Sequence, residues 1–297
     1  MKPTTATDYE RRILNVLTHI QAHLDEHLDI ERLAGIAHFS PYHFHRIFRG
    51  MVGETVIEHV RRLRLEKAAF QLSYGKRRVT DISLDAGYDA LEAFSRAFKA
   101  AFGCSPSAYR SANAPSRPTA KSGVHFAADG CILTFNPVRG EHTMEVKIAE
   151  KKPQAVAFVR HTGPYEEVGP TWERLCAWAG PKGLITEKTP FIGVSYDDPE
   201  VTEADKIRYD ACIGLDQPVL PEGDIGVQEL PGGTFAVTVH KGPYSGLKGA
   251  YDWLMGTWLS ESGYEAGGCP TYEVYLNAPD KVRPEELLTE INLPLAR

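Results

Sequence analysis

The chain has 297 residues, 42% of them hydrophobic and 24% charged, enough for an ordinary core and a length that suits two domains better than one. No stretch approaches the roughly 18 uncharged apolar residues of a membrane span, and the start, MKPTTATDYERR, lacks the apolar segment of a signal peptide, so a cytoplasmic protein with no membrane partner is expected. The net charge of −6 hides an asymmetry: residues 1–112 hold 16 Lys and Arg against 13 Asp and Glu, residues 122–297 hold 15 against 26, as if one half met a polyanion and the other did not. Cys104, Cys131, Cys176, Cys212 and Cys269 are odd in number and form no CxxC pair, which argues against a disulfide framework and a zinc site; no cofactor or metal is expected.

From Asp8 to Arg110 apolar residues recur at helical steps, as in Ile13, Leu17, Ile20 and Leu24. Ser40-Pro41 and Ser105-Pro106 read as an N-cap followed by proline at the first helical position, and Gly53 and Gly103 as helix stops. His19, His23 and His27 recur every four residues, and a solvated face is the expected reading over a metal site. Residues 113–143 are expected to be a linker and connecting strand, beginning with the Pro- and Ser-rich NAPSRPTAKS. Beyond them short strand-like and helical runs alternate.

Two internal repeats organise the chain. Phe44-x-Arg46-x-Phe48-x4-Gly53 returns 50 residues later as Phe94-x-Arg96-x-Phe98-x4-Gly103. His161-x-Gly163-Pro164-Tyr165 returns 79 residues later as His240-x-Gly242-Pro243-Tyr244, each copy reading β-α-β-β. The expected fold is therefore an all-α N-terminal domain over 8–112, with helix-turn-helix units at about 30–51 and 79–102, and an α+β C-terminal domain over 144–297 made of two pseudo-symmetric repeats.

In a helix-turn-helix the second helix lies in the major groove with its N-terminal residues near the bases. If Phe44 and Phe48, or Phe94 and Phe98, form the inner face, then Tyr42, His45 and Arg46, and Leu91, Glu92, Ser95 and Arg96, are left to meet double-stranded DNA at a promoter or operator. Arg46 and Arg96 could touch bases, phosphates or structural carboxylates. Glu92 could accept from cytosine or complete a capping box with Asp89, while Arg61, Arg62 and Arg64 are expected on a solvated face. A connector from Glu54 to Ser73 would span about 30 Å at ~1.5 Å per residue, close to the ~34 Å between successive major-groove faces.

The run AGYDALEAFSRAFKAAFGCSPSAYR at Ala86 to Arg110 resembles the AraC/XylS family of bacterial regulators in its Gly87-Tyr88 turn, its Phe94 to Lys99 helix and its Gly103 to Arg110 ending. Ala90, Leu91 and Ala93 stand where that family often has polar residues, which would limit Leu91 to apolar contact such as a thymine methyl.

A groove between paired β-α-β-β units suits a small-molecule effector. Tyr165, Trp172, Phe191, Tyr244, Tyr251 and Tyr272 are candidate lining residues, and Asp210 and Glu290 fall opposite each other in otherwise apolar strands. Such carboxylates either serve a ligand, a lipophilic cation being the natural one, or face solvent on an open sheet surface. RHTGPY at Arg160 to Tyr165, GVSYDDP at Gly193 to Pro199, Arg208-Tyr209-Asp210 and the C-terminal TEIxxPL resemble GyrI-like effector-binding domains. That resemblance implies a role in binding cationic drugs for the acidic residue near the C-terminal strand, matched here by Glu290. It leaves open a hydrolase with Glu290 as base and Tyr272 or Asp210 as helper, or a drug-sequestering protein. The favoured expectation is a ligand-controlled, non-enzymatic transcription regulator with no catalytic residues, RNA polymerase as a further candidate partner, and an open oligomeric state.

Overall fold

The computed structural model describes residues 5–112, 117–132, 134–140 and 144–296. The chain divides into two compact units, one of residues up to Pro41 together with Ile47–Arg139, the other of Tyr42–Arg46 together with Gly140–Arg297.

Among the described residues, seven helices occupy the first part of the chain: α1 (Thr5–Ala22), α2 (Ile30–Ala37), α3 (Pro41–Val52), α4 (Val56–Tyr74), α5 (Val79–Asp85), α6 (Leu91–Phe102) and α7 (Pro106–Ala112). Their boundaries follow from local chemistry. Thr55 caps α4 in a reciprocal box with Glu58, the Ser105 hydroxyl accepts from Ala108 N at the start of α7, and Gly53 and Gly103 stop α3 and α6 in the left-handed region at φ 81° and 77°, where a side chain would be strained. Fully buried Tyr9, Ile13, Val16, Leu17 and Ile20 mark the inner stripe of α1. Phe94, Phe98 and Phe102 of α6 pack with Leu65, Ala69 and Leu72 of α4, Ile82 and Tyr109. Helix α1 ends at Ala22, so the four-residue histidine spacing is not one helical stripe; His19 and His23 stack at 4.0 Å, and no metal-binding cluster occurs among the described residues.

Two expectations for this region are corrected. Arg62 is buried between Glu54 and Glu66 at 2.5 and 2.8 Å, Arg64 donates to the Leu24 and Glu26 carbonyls, and Arg61 Nε donates to Tyr88 Oη at 3.2 Å. Arg62 and Arg64 thus brace the domain, while Arg61 stays on an exposed face as expected. Residues 117–139, expected to hold a linker and connecting strand, contain no strand among their described residues. They form a strap on the first unit: Phe126 N donates to Glu66, Gln21 Nε2 to the His125 carbonyl, and Val138 N to the Met51 carbonyl. The Asn113 to Ser116 part of the expected linker lies outside the described residues.

The second part is an antiparallel sheet with helices. Strands β1 (Val146–Lys151), β2 (Gln154–Thr162), β3 (Phe191–Ser195), β4 (Arg208–Gly214), β5 (Gly226–Leu230), β6 (Gly233–Lys241), β8 (Tyr272–Tyr275) and β9 (Leu288–Ala296) pair in the order β1-β6-β9-β8-β3-β4-β2-β5, and β7 (Glu265–Ala266) adds to β9. Helix α8 (Gly169–Ala179) follows β2; α9 (Leu247–Trp253) follows β6 and runs through a π-helical turn at Leu254–Trp258 into α10 (Leu259–Ser262). The first segment therefore runs strand, helix, strand, strand, and the second departs from that order by the short β7 between its helices and β8.

The repeated His-x-Gly-Pro-Tyr loops are built alike. Gly163 and Gly242 take φ 143° and 136°, backbone open in practice only to glycine. Their N–H groups donate to the Ile207 and Leu287 carbonyls at 2.9 Å, and the preceding histidines bond through Nε2 to the Pro164 and Pro243 carbonyls. Each loop delivers its tyrosine against a sheet tyrosine, Tyr165 on Tyr209 at 5.9 Å and Tyr244 on Tyr275 at 5.6 Å.

Candidate effector site and DNA-reading helices

Side chains alternate across a sheet, and the register here separates the expected ligand residues into two sets. Val194 faces both Asp210 and Tyr272, and Val274 faces Glu290, so Asp210, Tyr272 and Glu290 share one face. Gly193 faces Ala211 and Glu273, and Phe191 faces Tyr275, so Phe191, Tyr209, Glu273 and Tyr275 share the other, which also carries Trp172, Tyr165, Tyr244 and Tyr251.

Both expected carboxylates are engaged by neighbouring side chains, Asp210 wholly inside and Glu290 half-buried. Asp210 is fully buried and takes one donor on Oδ1, Arg160 at 2.7 Å, and three on Oδ2, Arg160 and Tyr196 at 2.8 Å and Gln228 at 3.1 Å. Glu290 accepts from Lys151 at 2.8 Å and Asn292 at 3.2 Å. The burial of Tyr272 and the charge of Glu290 push that phenol up to about 12. These are structural pairings of the sheet.

The opposite face holds a different carboxylate. Glu273 is buried, its Oε1 accepting from Tyr251 at 2.9 Å and its Oε2 from Tyr275 at 2.8 Å; the Tyr275 hydroxyl also bonds that of Tyr209 at 2.9 Å. Burial raises the Glu273 carboxyl above its ordinary range, against the opposing pull of its two tyrosine donors. Burial likewise holds Tyr209, Tyr251 and Tyr275 far into their neutral forms and pushes Tyr165 up to about 12. Trp172 meets Phe191 at 5.9 Å, Tyr275 at 5.8 Å and Tyr209 at 6.4 Å. Gly193 makes this possible: a Cβ there would stand 2.5 Å from the hydroxyls of both Tyr209 and Tyr275. The result is one carboxylate, bonded to neutral hydroxyls, in a wall of rings, an arrangement suited to an apolar cation. Glu273, Tyr209 and Tyr275 were missed as site residues, although an acidic residue inside the aromatic strand YEVY meets the same criterion that selected Asp210 and Glu290.

Of the two recognition helices, α6 matches the expected geometry. Phe94 and Phe98 are fully buried, Leu91, Glu92 and Arg96 are exposed, and Ser95 is half-buried. Gly87, at φ 82°, makes the preceding turn, and Tyr88 packs edge-on to Phe94. Ala90 is the N-cap and no side chain caps the helix, so the Asp89–Glu92 capping box does not form.

Helix α3 differs. Phe44 and Phe48 are buried, Tyr42 is exposed and His45 half-buried. Arg46, expected to face DNA, is only 6% exposed. Within the second unit its Nη1 donates to Thr271 Oγ1 at 2.8 Å and its guanidinium lies 4.3 Å from the centre of the Tyr251 ring. His43, fully buried, donates through Nε2 to the Cys269 carbonyl at 2.9 Å; burial, with the Arg46 charge beside it, pushes the imidazole down to about 4.

Residues 144–296 match the family described as GyrI-like small molecule binding domain. The chain belongs to the GyrI-like family. Ahead of this GyrI-like half, residues 33–112 match a helix-turn-helix domain, of the AraC type. The chain is 38% identical over 102 residues to the uncharacterized HTH-type transcriptional regulator YbfP of Bacillus subtilis, covering 34% of this chain and 35% of that one. The chain is 28% identical over 157 residues to the probable transcriptional regulator YgiV of Escherichia coli, covering 52% of this chain and 98% of that one. The crystal structure of the EcmrR C-terminal domain aligns with 52% of this chain and 99% of its own at 22% identity and a TM-score of 0.44. The chain thus spans about a third of YbfP and nearly all of YgiV. No helix among the described residues is long and apolar enough to cross a membrane.

Proposed function

We propose that this protein is a transcription regulator that reads promoter DNA with its helix-turn-helix half and binds a lipophilic cation in its GyrI-like half, with Glu273 as the counter-ion. The observation that carries the effector class is the buried Glu273 carboxylate, hydrogen-bonded by Tyr251 and Tyr275 within a ring-lined face. Burial disfavours the charged form of this carboxyl and a cation beside it favours that form, while a delocalised cation with a large apolar surface is desolvated at little cost among rings. Tyr165, Trp172, Phe191, Tyr209 and Tyr244 supply that wall.

On the DNA side, Leu91, Glu92, Ser95 and Arg96 of α6 read one major groove, and Tyr42 and His45 of α3 are assigned to the next. The 19 residues of α4 span about 28 Å at ~1.5 Å per residue, near the ~34 Å groove spacing. RNA polymerase is the partner through which such binding would act on transcription. In the alternative hydrolase reading Glu290, the base proposed for it, is paired with Lys151.

Titration of the full chain with rhodamine 6G, followed by fluorescence anisotropy, tests the effector reading. Glu273→Gln is expected to weaken binding at least about tenfold, the effect of removing ~1.4 kcal/mol of charge pairing; Glu290→Gln is expected to leave it within about twofold. Equal losses in the two variants, or a loss only in Glu290→Gln, would overturn the assignment.

A further inference from the structure

Arg46 carries the same chemistry that the effector face is built to take. It is a delocalised cation, its plane rests on Tyr251, and Tyr251 is the residue whose hydroxyl holds Glu273 Oε1. Its hydrogen-bond partner, Thr271, sits two residues before Glu273, immediately ahead of the strand that carries it. Its hydrogen-bond acceptor and its ring partner are neutral, the side chain is almost wholly withdrawn from water, and the charge within its reach is that of the Glu273 carboxylate, as an external cation's would be. Burying a charge costs several kcal/mol unless it is well paired, so such a contact is poised for exchange with a better-suited cation. The 50-residue counterpart of Arg46, Arg96, is exposed on α6.

We infer that Arg46 is an internal ligand of the GyrI-like half, a recognition-helix arginine seated on Tyr251 and Thr271 that competes with the external cation and is released when that cation binds. This rests on the effector reading above and adds to it the regulation of the site. Competition of this kind is reciprocal: the cation frees Arg46 for DNA, and whatever engages Arg46 elsewhere opens the site to the cation. The apparent affinity for the external ligand is reduced by the fraction of molecules in which Arg46 is seated.

The test uses the full chain and rhodamine 6G, comparing the parent protein with Arg46→Ala, Thr271→Val and Glu273→Gln. If Arg46 is seated in nine molecules of ten, Arg46→Ala binds the dye about tenfold more tightly than the parent. Thr271→Val removes only the acceptor hydroxyl and shifts affinity in the same direction by about threefold, which keeps the inference testable if Arg46→Ala does not fold. Glu273→Gln binds weakly with or without Arg46. Unchanged affinity in the folded Arg46 and Thr271 variants, with binding still lost in Glu273→Gln, overturns the internal ligand and leaves the cation site standing. Absence of dye binding in the parent and in every variant overturns both.

Discussion

Helices α3 and α6 are copies in sequence and differ in state. Each places two phenylalanines four residues apart toward its own interior and an arginine midway between them, yet Arg96 is exposed while Arg46 is buried on Tyr251 and Thr271. The positions before these arginines also diverge: α3 carries His43, which is buried and bonded to the Cys269 carbonyl, where α6 carries Ala93. The repeated motif specifies a helix-turn-helix scaffold. Access to DNA is set by residues between the motif positions, which decide whether a helix has a second surface to bind.

The largest expected effect tests the half of this comparison that the two helices share. Phe98 is fully buried and touches Phe94, Phe102 and Tyr109, so Phe98→Ala should cost about 3–5 kcal/mol of stability, measured by urea denaturation. A cost under ~1 kcal/mol would mean that the phenylalanine pair is not what holds α6.

The next effect is specific to α3. The folded protein holds His43 at about 4, below an ordinary histidine near 6.5. Between those values the unfolded chain binds more protons than the folded one. Stability from this group is therefore complete above pH 6.5 and falls as pH drops toward 4, by about 3 kcal/mol at ~1.4 kcal/mol per pKa unit. Denaturation across that window should show the loss, and His43→Gln should flatten it; an identical slope in parent and variant would remove the distinction between the helices.

Smaller still is the effect on DNA. Without effector, Arg96→Ala should weaken duplex binding by about 1–3 kcal/mol if it reads a base, or lower the salt slope by about one ion if it holds phosphate. Arg46→Ala should change direct contact little under the same conditions, and a matching loss from the two variants would contradict the difference in state.

Much of this was legible in the sequence. The 3.6-residue period, Ser-Pro starts and Gly stops placed the helices because caps and left-handed turns are local chemistry. The His-x-Gly-Pro-Tyr repeat located matching loops because Gly163 and Gly242 take positive φ. The carboxylate proposed for the effector was not legible, because Asp210, Glu273 and Glu290 are each acidic residues in apolar strands and only the pairing register puts Glu273 on the face opposite the other two. Arg62 and Arg46 were misjudged for a related reason. Their partners, Glu54 and Glu66 in one case and Tyr251 and Thr271 in the other, are brought in by tertiary structure, and no spacing rule reports them.

The measurement that tests the account most directly is a DNase I footprint of the full chain on a duplex selected from random sequence in the presence of rhodamine 6G. With Arg46 seated on Tyr251 and the dye absent, protection should cover a single groove from α6, about 10 base pairs, and dye should extend it by one further helical turn. Protection of two turns without dye, unchanged on adding it, would show both helices reading DNA from the start and contradict the account.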